Sequence, residues 1–408
     1  MSLKYLRLIL TTAVLGIAGQ VLASNSQQIK IETNYKIGKH PKFGEIELGG
    51  FSGLTFSKSE SKKDTYVFYS LTDRGPNAKP QDFTGDGQLD RPFILPEYSP
   101  LIFKIEYNSK SSAVKVTDKI KIKKPNSAPS SGIPNVDRSL IKENFDETPV
   151  SMDGKKLKYD PWGLDPESIA IDSQGNFWIG EEYGPSILKI DRSGKILGRW
   201  NPAVNYKSSY IVRGGSSTLP KVFGKRVLNA GFEGMAISGN KLYGFLQKPL
   251  KVKEASKFIR VLVFDIEKEK TDGVFVYEMD PKSNKIGGTT ILDDGSIAVL
   301  EHSGFKNENA YQRIYKLNFE NATNVQSIGK ELEKGKYVPK GFTKISKTLE
   351  IDVLRYKVNL SEKPEGIAYF GKGKIAMIND NDFNLAYAFN KKKQDADKED
   401  NLFIIFEK

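Results

Sequence analysis

The sequence predicts an all-β protein, a single β-propeller with five or six blades of four antiparallel strands. Three observations carry this reading. Apolar residues come in short runs bounded by turn residues. Long stretches of 3.6-residue apolar periodicity are absent. One unit recurs five times along the chain.

The strands come first. Runs such as 65–71 (TYVFYSL), 176–179 (NFWI), 258–264 (FIRVLVF) and 402–406 (LFIIF) are rich in aromatic and β-branched residues, which pack well on a pleated, half-buried surface. Ser193-Gly194, Gly239-Asn240, Asp293-Asp294-Gly295 and Gly371-Lys372-Gly373 supply hairpin turns.

The repeat comes next. Its units open at 50–56 (GFSGLTF), 165–172 (DPESIAID), 231–238 (GFEGMAIS), 286–292 (IGGTTIL) and 363–369 (KPEGIAY). Each is followed by a second strand with a polar cluster at its end: 71–75 (LTDRG), 177–184 (FWIGEEYG), 242–248 (LYGFLQK), 297–302 (IAVLEH) and 375–382 (IAMINDND). A small four-stranded sheet repeated about an axis is a propeller blade. The step from Ser52 to Glu167 is the longest, so a sixth blade or a long insertion belongs near 108–164. The last unit is short of an outer strand. Residues 30–34 can supply it and close the ring, which removes an exposed sheet edge. A β-sandwich with coincidental Glu-Gly turns is the competing architecture, and the periodicity argues against it. The charged tract 391–400 reads as a solvated loop.

Residues 1–23 read as a signal peptide. Lys4 and Arg7 precede an apolar core at 8–18, and Val21-Leu22-Ala23 offers a cleavage site. Gly19 and Gln20 interrupt the core well short of the roughly 20 apolar residues a spanning helix needs. Residues 24–408 are then one domain, periplasmic or secreted from a bacterium, with no transmembrane segment after the signal is removed. The chain has no Cys, which excludes a lipid-modified N-terminus and disulfides and leaves the core or metals to hold the fold. The net charge of +12 is scattered, as at Lys121, Lys155, Lys251 and Lys391, rather than striped with stacking aromatics. This argues against nucleic acid and suits an anionic substrate or a membrane surface; a small phosphorylated substrate and a monomer are the expectation.

A propeller would gather equivalent residues of each unit around one axis. Ser52, Glu167, Glu233 and Glu365 form one ring; Asp73, Glu181, Glu182, Gln247, Glu301, Asn379, Asp380 and Asp382 form a second, at the same mouth. Clustered carboxylates repel one another and persist with protons, basic partners or a cation. His40 and His302 are the sole histidines, so an N/S zinc site is improbable; oxygen donors favour calcium. Bonds from Glu167, Glu233 and Glu365 to backbone N–H groups that tie blades together are the alternative. Asp82, Asp86 and Asp90, with Gly87 at the turn, resemble the start of a calcium loop, although Phe93 stands where a bidentate Glu belongs; a plain polar loop is the alternative. Arg74 beside Asp73 suits phosphate or a buried ion pair. Tyr183 beside Glu182, and His302 beside Glu301, offer an acid or base. No nucleophile elbow, His-Glu-x-x-His or Walker loop is present.

Segments 71–77 (LTDRGPN), 93–96 (FILP) after the Asp/Gly loop, 181–187 (EEYGPSI), 231–236 (GFEGMA), 247–250 (QKPL) and 300–302 (LEH) keep their order over roughly 45–385. Together they resemble the phytase-like propellers described as "esterase-like activity of phytase". The resemblance implies an exported bacterial propeller that hydrolyses phosphoesters or phosphodiesters on a surface of recurrent Glu and Asp. Asp73, Glu181, Glu182, Glu233 and Glu301 carry over as motif positions. The fourth unit departs from the Glu-Gly pattern, with Gly287-Gly288, and so interrupts an evenly ligated ring.

The expectation is a calcium-dependent phosphoester hydrolase. Its catalytic candidates are Asp73, Arg74, Glu181, Glu182, Glu301 and His302. Its metal candidates are Glu167, Glu233, Glu365, Asp380, Asp382, Asp82, Asp86 and Asp90. Calcium would neutralise the carboxylates, Arg74 would hold a phosphate oxygen, and Glu182 or Glu301 would take a proton from water. A lactonase or carboxylesterase, and a non-catalytic propeller binding a cell-envelope ligand or partner, are the alternatives.

Overall fold

The computed structural model describes residues 25–135, 145–202, 219–251, 258–327, 332, 340–385, 387–388, 393–394 and 398–408. The expected signal peptide lies outside the described residues, as do residues 391–392 and 395–397 of the charged tract. The chain is all-β: the described residues form strands and three short 3-10 turns, with no α-helix. No helix among them is long and apolar enough to cross a membrane.

Each repeat unit folds as an antiparallel pair. The inner strands are Phe51–Lys62, Pro166–Ile171, Phe232–Ser238, Lys285–Ile291 and Pro364–Tyr369. They pair with Thr65–Thr72, Phe177–Glu181, Lys241–Leu246, Ile297–His302 and Lys374–Asn379 respectively. Two outer strands complete each of the second, third and fourth sheets.

The first and fifth units depart from the expected independent four-stranded sheets. They are fused in one eight-stranded sheet through a parallel contact of Ile31 with Val114 and Glu32 with Lys115. Asn25–Glu32 also lies antiparallel to Leu402–Glu407, from Asn25 opposite Glu407 to Lys30 opposite Leu402. The N-terminal strand therefore supplies the missing outer strand, over Asn25–Glu32 rather than the expected 30–34.

The inner strands contact one another in a closed order. Ser168 Oγ donates to Phe232 O at 3.0 Å, joining the second unit to the third. Gly234 abuts Thr289, and Gly288 abuts Glu365 and Gly366. Gly366 then meets the backbone of Gly53 and Leu54, while Gly53 meets Ser168. A Cβ on Gly366 would stand 2.7 Å from Gly53 C and 2.8 Å from Leu54 N, so the closing contact requires glycine.

The hydrophobic core is divided between the sheets. Leu71 and Ile179 share a cluster between the first and second. Trp178, Phe245 and Val299 share one across the second, third and fourth. Leu300 with Met377, and Phe68 with Phe403, fill the two remaining spaces. Phe68 meets Phe403 edge-on at 5.2 Å and Phe370 at 5.4 Å, so one aromatic knot seals the fusion of the first and fifth sheets. Burying each such side chain stabilises by about 1.5–3 kcal/mol.

The long step between the first two units holds an insertion; no further four-stranded sheet forms among its described residues. Thr148–Ser151 pairs in parallel with Asp90–Phe93. Gly132 O accepts from Tyr183 Oη at 2.9 Å, tying the insertion to the end of a second strand.

Candidate functional site

A β-bulge recurs at the third position of every unit. The pairing register skips between Pro166 and Ser168, Phe232 and Gly234, Ile286 and Gly288, and Pro364 and Gly366, and between Phe51 and Leu54 in the first unit. The skipped residues include Glu167, Glu233, Gly287, Glu365 and Ser52. A bulge re-aims the unpaired side chain. It turns the glutamates out of the ladder and toward one cavity of about 220 Å³, whose walls include Glu167, Glu233, Glu365, Asp380 and Asp382. Asp73, Arg74 and Glu182 line it too. Gly287 fits its position because a Cβ there would lie 2.2 Å from Pro364 O and 3.1 Å from the His302 ring.

Seven carboxylates and six cations line this cavity. Acidic crowding is thus compensated largely by the protein itself. Lys363 Nζ lies 2.8 Å from Asp380 and 2.5 Å from Asp382, and Lys285 Nζ lies 3.4 Å from Glu365. Burial alone would push Glu365 up, but Lys285, Glu233, His302 and Lys363 together hold it down at about 2. Burial raises Asp380 to about 6 against the pull of Lys363. Glu233 is driven well above the carboxylate range by burial and by Glu365.

Asp165, Glu167 and Glu182 form a second group, whose ligand oxygens all lie within 4.8 Å of one another. Burial, then Glu233 and Asp165, push Glu167 well up. Burial and Asp165 raise Glu182 to about 8. The Oε2 atoms of Glu182, Glu233 and Glu365 are buried without a hydrogen-bond partner. These oxygen donors and orphaned carboxylate atoms fit a hard divalent cation such as calcium.

Arg74 departs from the expected role. Nη1 lies 3.2 Å from Glu147, Nη2 lies 2.9 Å from Asp165 and 3.7 Å from Glu182, and Nη2 also donates to Asn229. Both terminal nitrogens are occupied by protein partners, so Arg74 holds carboxylates in place rather than presenting a free fork to phosphate. Asp73 sits beside it, accepting from Gly75 N at 2.8 Å and raised by burial and Asp380.

Other candidates stand outside the cavity walls. Glu181 ends its strand pointing between sheets, where it accepts from Asn135, Ser186, Arg199 and the Asp165 N–H. Burial raises it to about 8 despite Arg199. Glu301 is fully buried and accepts from Tyr277 Oη, Asp280 N and Lys347 Nζ. His302 is fully buried; burial and Lys285 lower it to about 3, so the ring is neutral, and neither nitrogen has a hydrogen-bond partner. Asp82, Asp86 and Asp90 lie in a separate loop and accept from backbone N–H groups of Gly85, Gly87, Gln88, Phe83 and Thr84. They do not join the carboxylate group of the cavity.

Sequence reasoning missed the counter-charges. Lys285 and Lys363 stand two residues before the bulged position of their strands, where the second unit has Asp165, so aligning the units could have exposed them. Glu147, which receives both Arg74 and Arg91, comes from the insertion and carries no repeat signal.

A family model described as "Phytase-like: Esterase-like activity of phytase" matches residues 46–383. A curated relative, an "Uncharacterized secreted protein" of Arthroderma benhamiae, is 25% identical over 267 residues, covering 55% of this chain and 50% of that protein. The chain thus spans about half the length of the curated relative it matches. Among solved structures, an α-L-arabinofuranosidase of Podospora anserina in complex with cellotriose aligns with a TM-score of 0.40 and 10% identity, covering 93% of this chain and 96% of that one. Virginiamycin B lyase from Staphylococcus aureus aligns with a TM-score of 0.34 and 13% identity, covering 94% and 99%.

Proposed function

The chain belongs to the phytase-like family, and from that premise we propose that it is an exported, calcium-dependent hydrolase of phosphoesters or phosphodiesters, acting in the cavity of a five-bladed propeller. The observation that carries the reading is a single cavity lined by Glu167 and Glu182, which with Asp165 bring three carboxylates within 4.8 Å of one another, and also by Lys285 and Lys363.

Glu167 and Glu233, with Asp165 beside Glu167, would hold the cation. Bound calcium supplies neutralisation of the carboxylates, polarisation of a phosphoryl oxygen and a more acidic water. Lys285 and Lys363 orient phosphate oxygens. Glu182, kept from easy ionisation by burial, is the group that exchanges a proton with water. Arg74 and Glu147 keep Glu182 in register. Glu181, Glu301 and His302 support the surrounding strands. The cavity is smaller than the roughly 300 Å³ at the lower end of small-molecule pockets, which suits one phosphate group with the rest of the substrate outside.

Export rests on the 1–23 leader pattern, with 24–408 as the mature domain. A relative described as secreted agrees with it. The deciding experiment measures turnover of phytate and of a generic phosphodiester with calcium and with chelator, in the natural chain and in Glu182→Gln. Calcium-dependent turnover that falls at least about a hundredfold in the variant supports the reading. Turnover indifferent to both changes removes it, and turnover of lactones or carboxylic esters alone would reassign the leaving group.

A further inference from the structure

Of the six cations that line the cavity, four are matched by carboxylates. Arg74 and Arg91 share Glu147, Lys285 meets Glu365, and Lys363 meets Asp380 and Asp382. Lys79 is exposed at the rim. Lys248 is different: it is half-buried in the cavity wall, with no carboxylate in ion-pair range among the described residues. Lys248, Lys285 and Lys363 line the same cavity.

The backbone that carries Lys248 is fixed. Gln247 N donates to Gly231 O at 2.9 Å, and Ile286 N donates to Gln247 O at 3.0 Å, so the residue before Lys248 bridges the third and fourth units. Pro249 follows and restricts Lys248 to extended backbone. An ammonium group on an anchored segment, in a cavity with two more and without its own counter-ion, is an incomplete ion pair. An anion entering the cavity completes it without displacing any protein carboxylate, whereas binding at Arg74 would have to displace several.

We propose that Lys248 is the primary anion-binding residue of the cavity, taking a tetrahedral phosphate group of the substrate between itself and Lys285. The proposal rests on the cavity assigned above as the site of phosphoester hydrolysis, but it concerns recognition and does not require turnover.

The test is calorimetric titration of the full mature chain with inorganic phosphate, comparing the natural protein with Lys248→Gln, Lys248→Arg and Lys251→Gln. Lys251 is exposed and outside the cavity walls, so its variant removes the same charge without the contact. Lys248→Gln is expected to weaken phosphate about tenfold or more. Lys248→Arg should stay within about threefold, and Lys251→Gln should change little, because exposed charges are screened by salt. Circular dichroism melting confirms that each variant is folded. Equal affinity in Lys248→Gln and the natural chain overturns the assignment, and so does a natural chain that does not bind phosphate. Lys248-dependent binding without ester turnover would keep this assignment and remove the hydrolase reading. Turnover that survives with an unchanged KM in Lys248→Gln would do the reverse.

Discussion

Arg74 and Asp165 are joined twice: the Arg74 backbone N–H donates to Asp165 Oδ1 at 3.0 Å, and Arg74 Nη2 lies 2.9 Å from Oδ2 of the same carboxylate. Both side chains are buried. The pair staples the turn after the first unit's second strand to the start of the second unit. Removing one partner of a buried ion pair leaves the other charge uncompensated, at a cost of about 3–5 kcal/mol. Arg74→Met should therefore lower the unfolding free energy by about that amount in a urea titration. A loss under about 1 kcal/mol would show that the carboxylates around it are protonated and need no partner.

Acidity should act on this protein in an unusual direction. Burial holds Glu181 and Glu182 at about 8, so the folded chain keeps two protons that the unfolded chain releases near 4.5. The stability these groups provide is full below 4.5 and is lost as pH rises through about 8. Glu365, held at about 2 with Lys285 nearby, opposes this on the acid side, its contribution vanishing as pH falls toward 2. With divalent cations chelated, melting temperature should peak near about pH 5 and decline toward about pH 8. Glu182→Gln should flatten the decline. A melting temperature that climbs steadily from pH 5 to 8 would contradict the buried-carboxylate picture.

Calcium should oppose the part of that decline due to Glu182, which lines the cavity, by compensating its charged form. At a hundred times its dissociation constant, a ligand of the folded state adds about 2.7 kcal/mol. Melting at pH 8 with and without calcium should show a shift of several degrees, larger than that given by magnesium, and Glu167→Gln should abolish most of it. Identical curves in calcium and chelator would mean that Arg74, Lys285 and Lys363 suffice on their own.

Gly366 is the tightest test of the ring. Its place against Gly53 and Leu54 leaves no room for a Cβ, and both neighbours are backbone atoms that cannot rotate away. Gly366→Ala should destabilise by about 1–3 kcal/mol and broaden the melting transition. A fully stable variant would indicate that the first and last inner strands do not touch.

The architecture was legible because its elements repeat. Glu167, Glu233 and Glu365 fall at the same place in their units, and a common axis follows from that alone. The bulge that aims them is invisible in residue identities, since Ser52 and Gly287 hold the same place without a carboxylate. The error at Glu301 came from the same limit. A strand end reads as polar whichever way it points, and Glu301 points to Tyr277 and Lys347. Glu147 lay beyond reach because it enters from an insertion whose position depends on the fold around Arg91 and Arg74. The Asp82–Asp90 loop showed that calcium-like spacing also suits a turn that binds its own amides.

Leu402–Glu407 lies between Lys374–Asn379 and Asn25–Glu32, and the latter leads on to Ala113–Lys121. Asn25–Lys30 therefore waits for Leu402–Glu407 before it gains its antiparallel neighbour, although Ile31 and Glu32 can pair with Val114 and Lys115 earlier. Such late pairing over great sequence separation is slow, and the waiting strands remain open to misassociation. A ribosome-bound fragment that stops before Leu402 should be captured by chaperones and cleaved readily by proteases, whereas a few further residues should confer resistance in a single step.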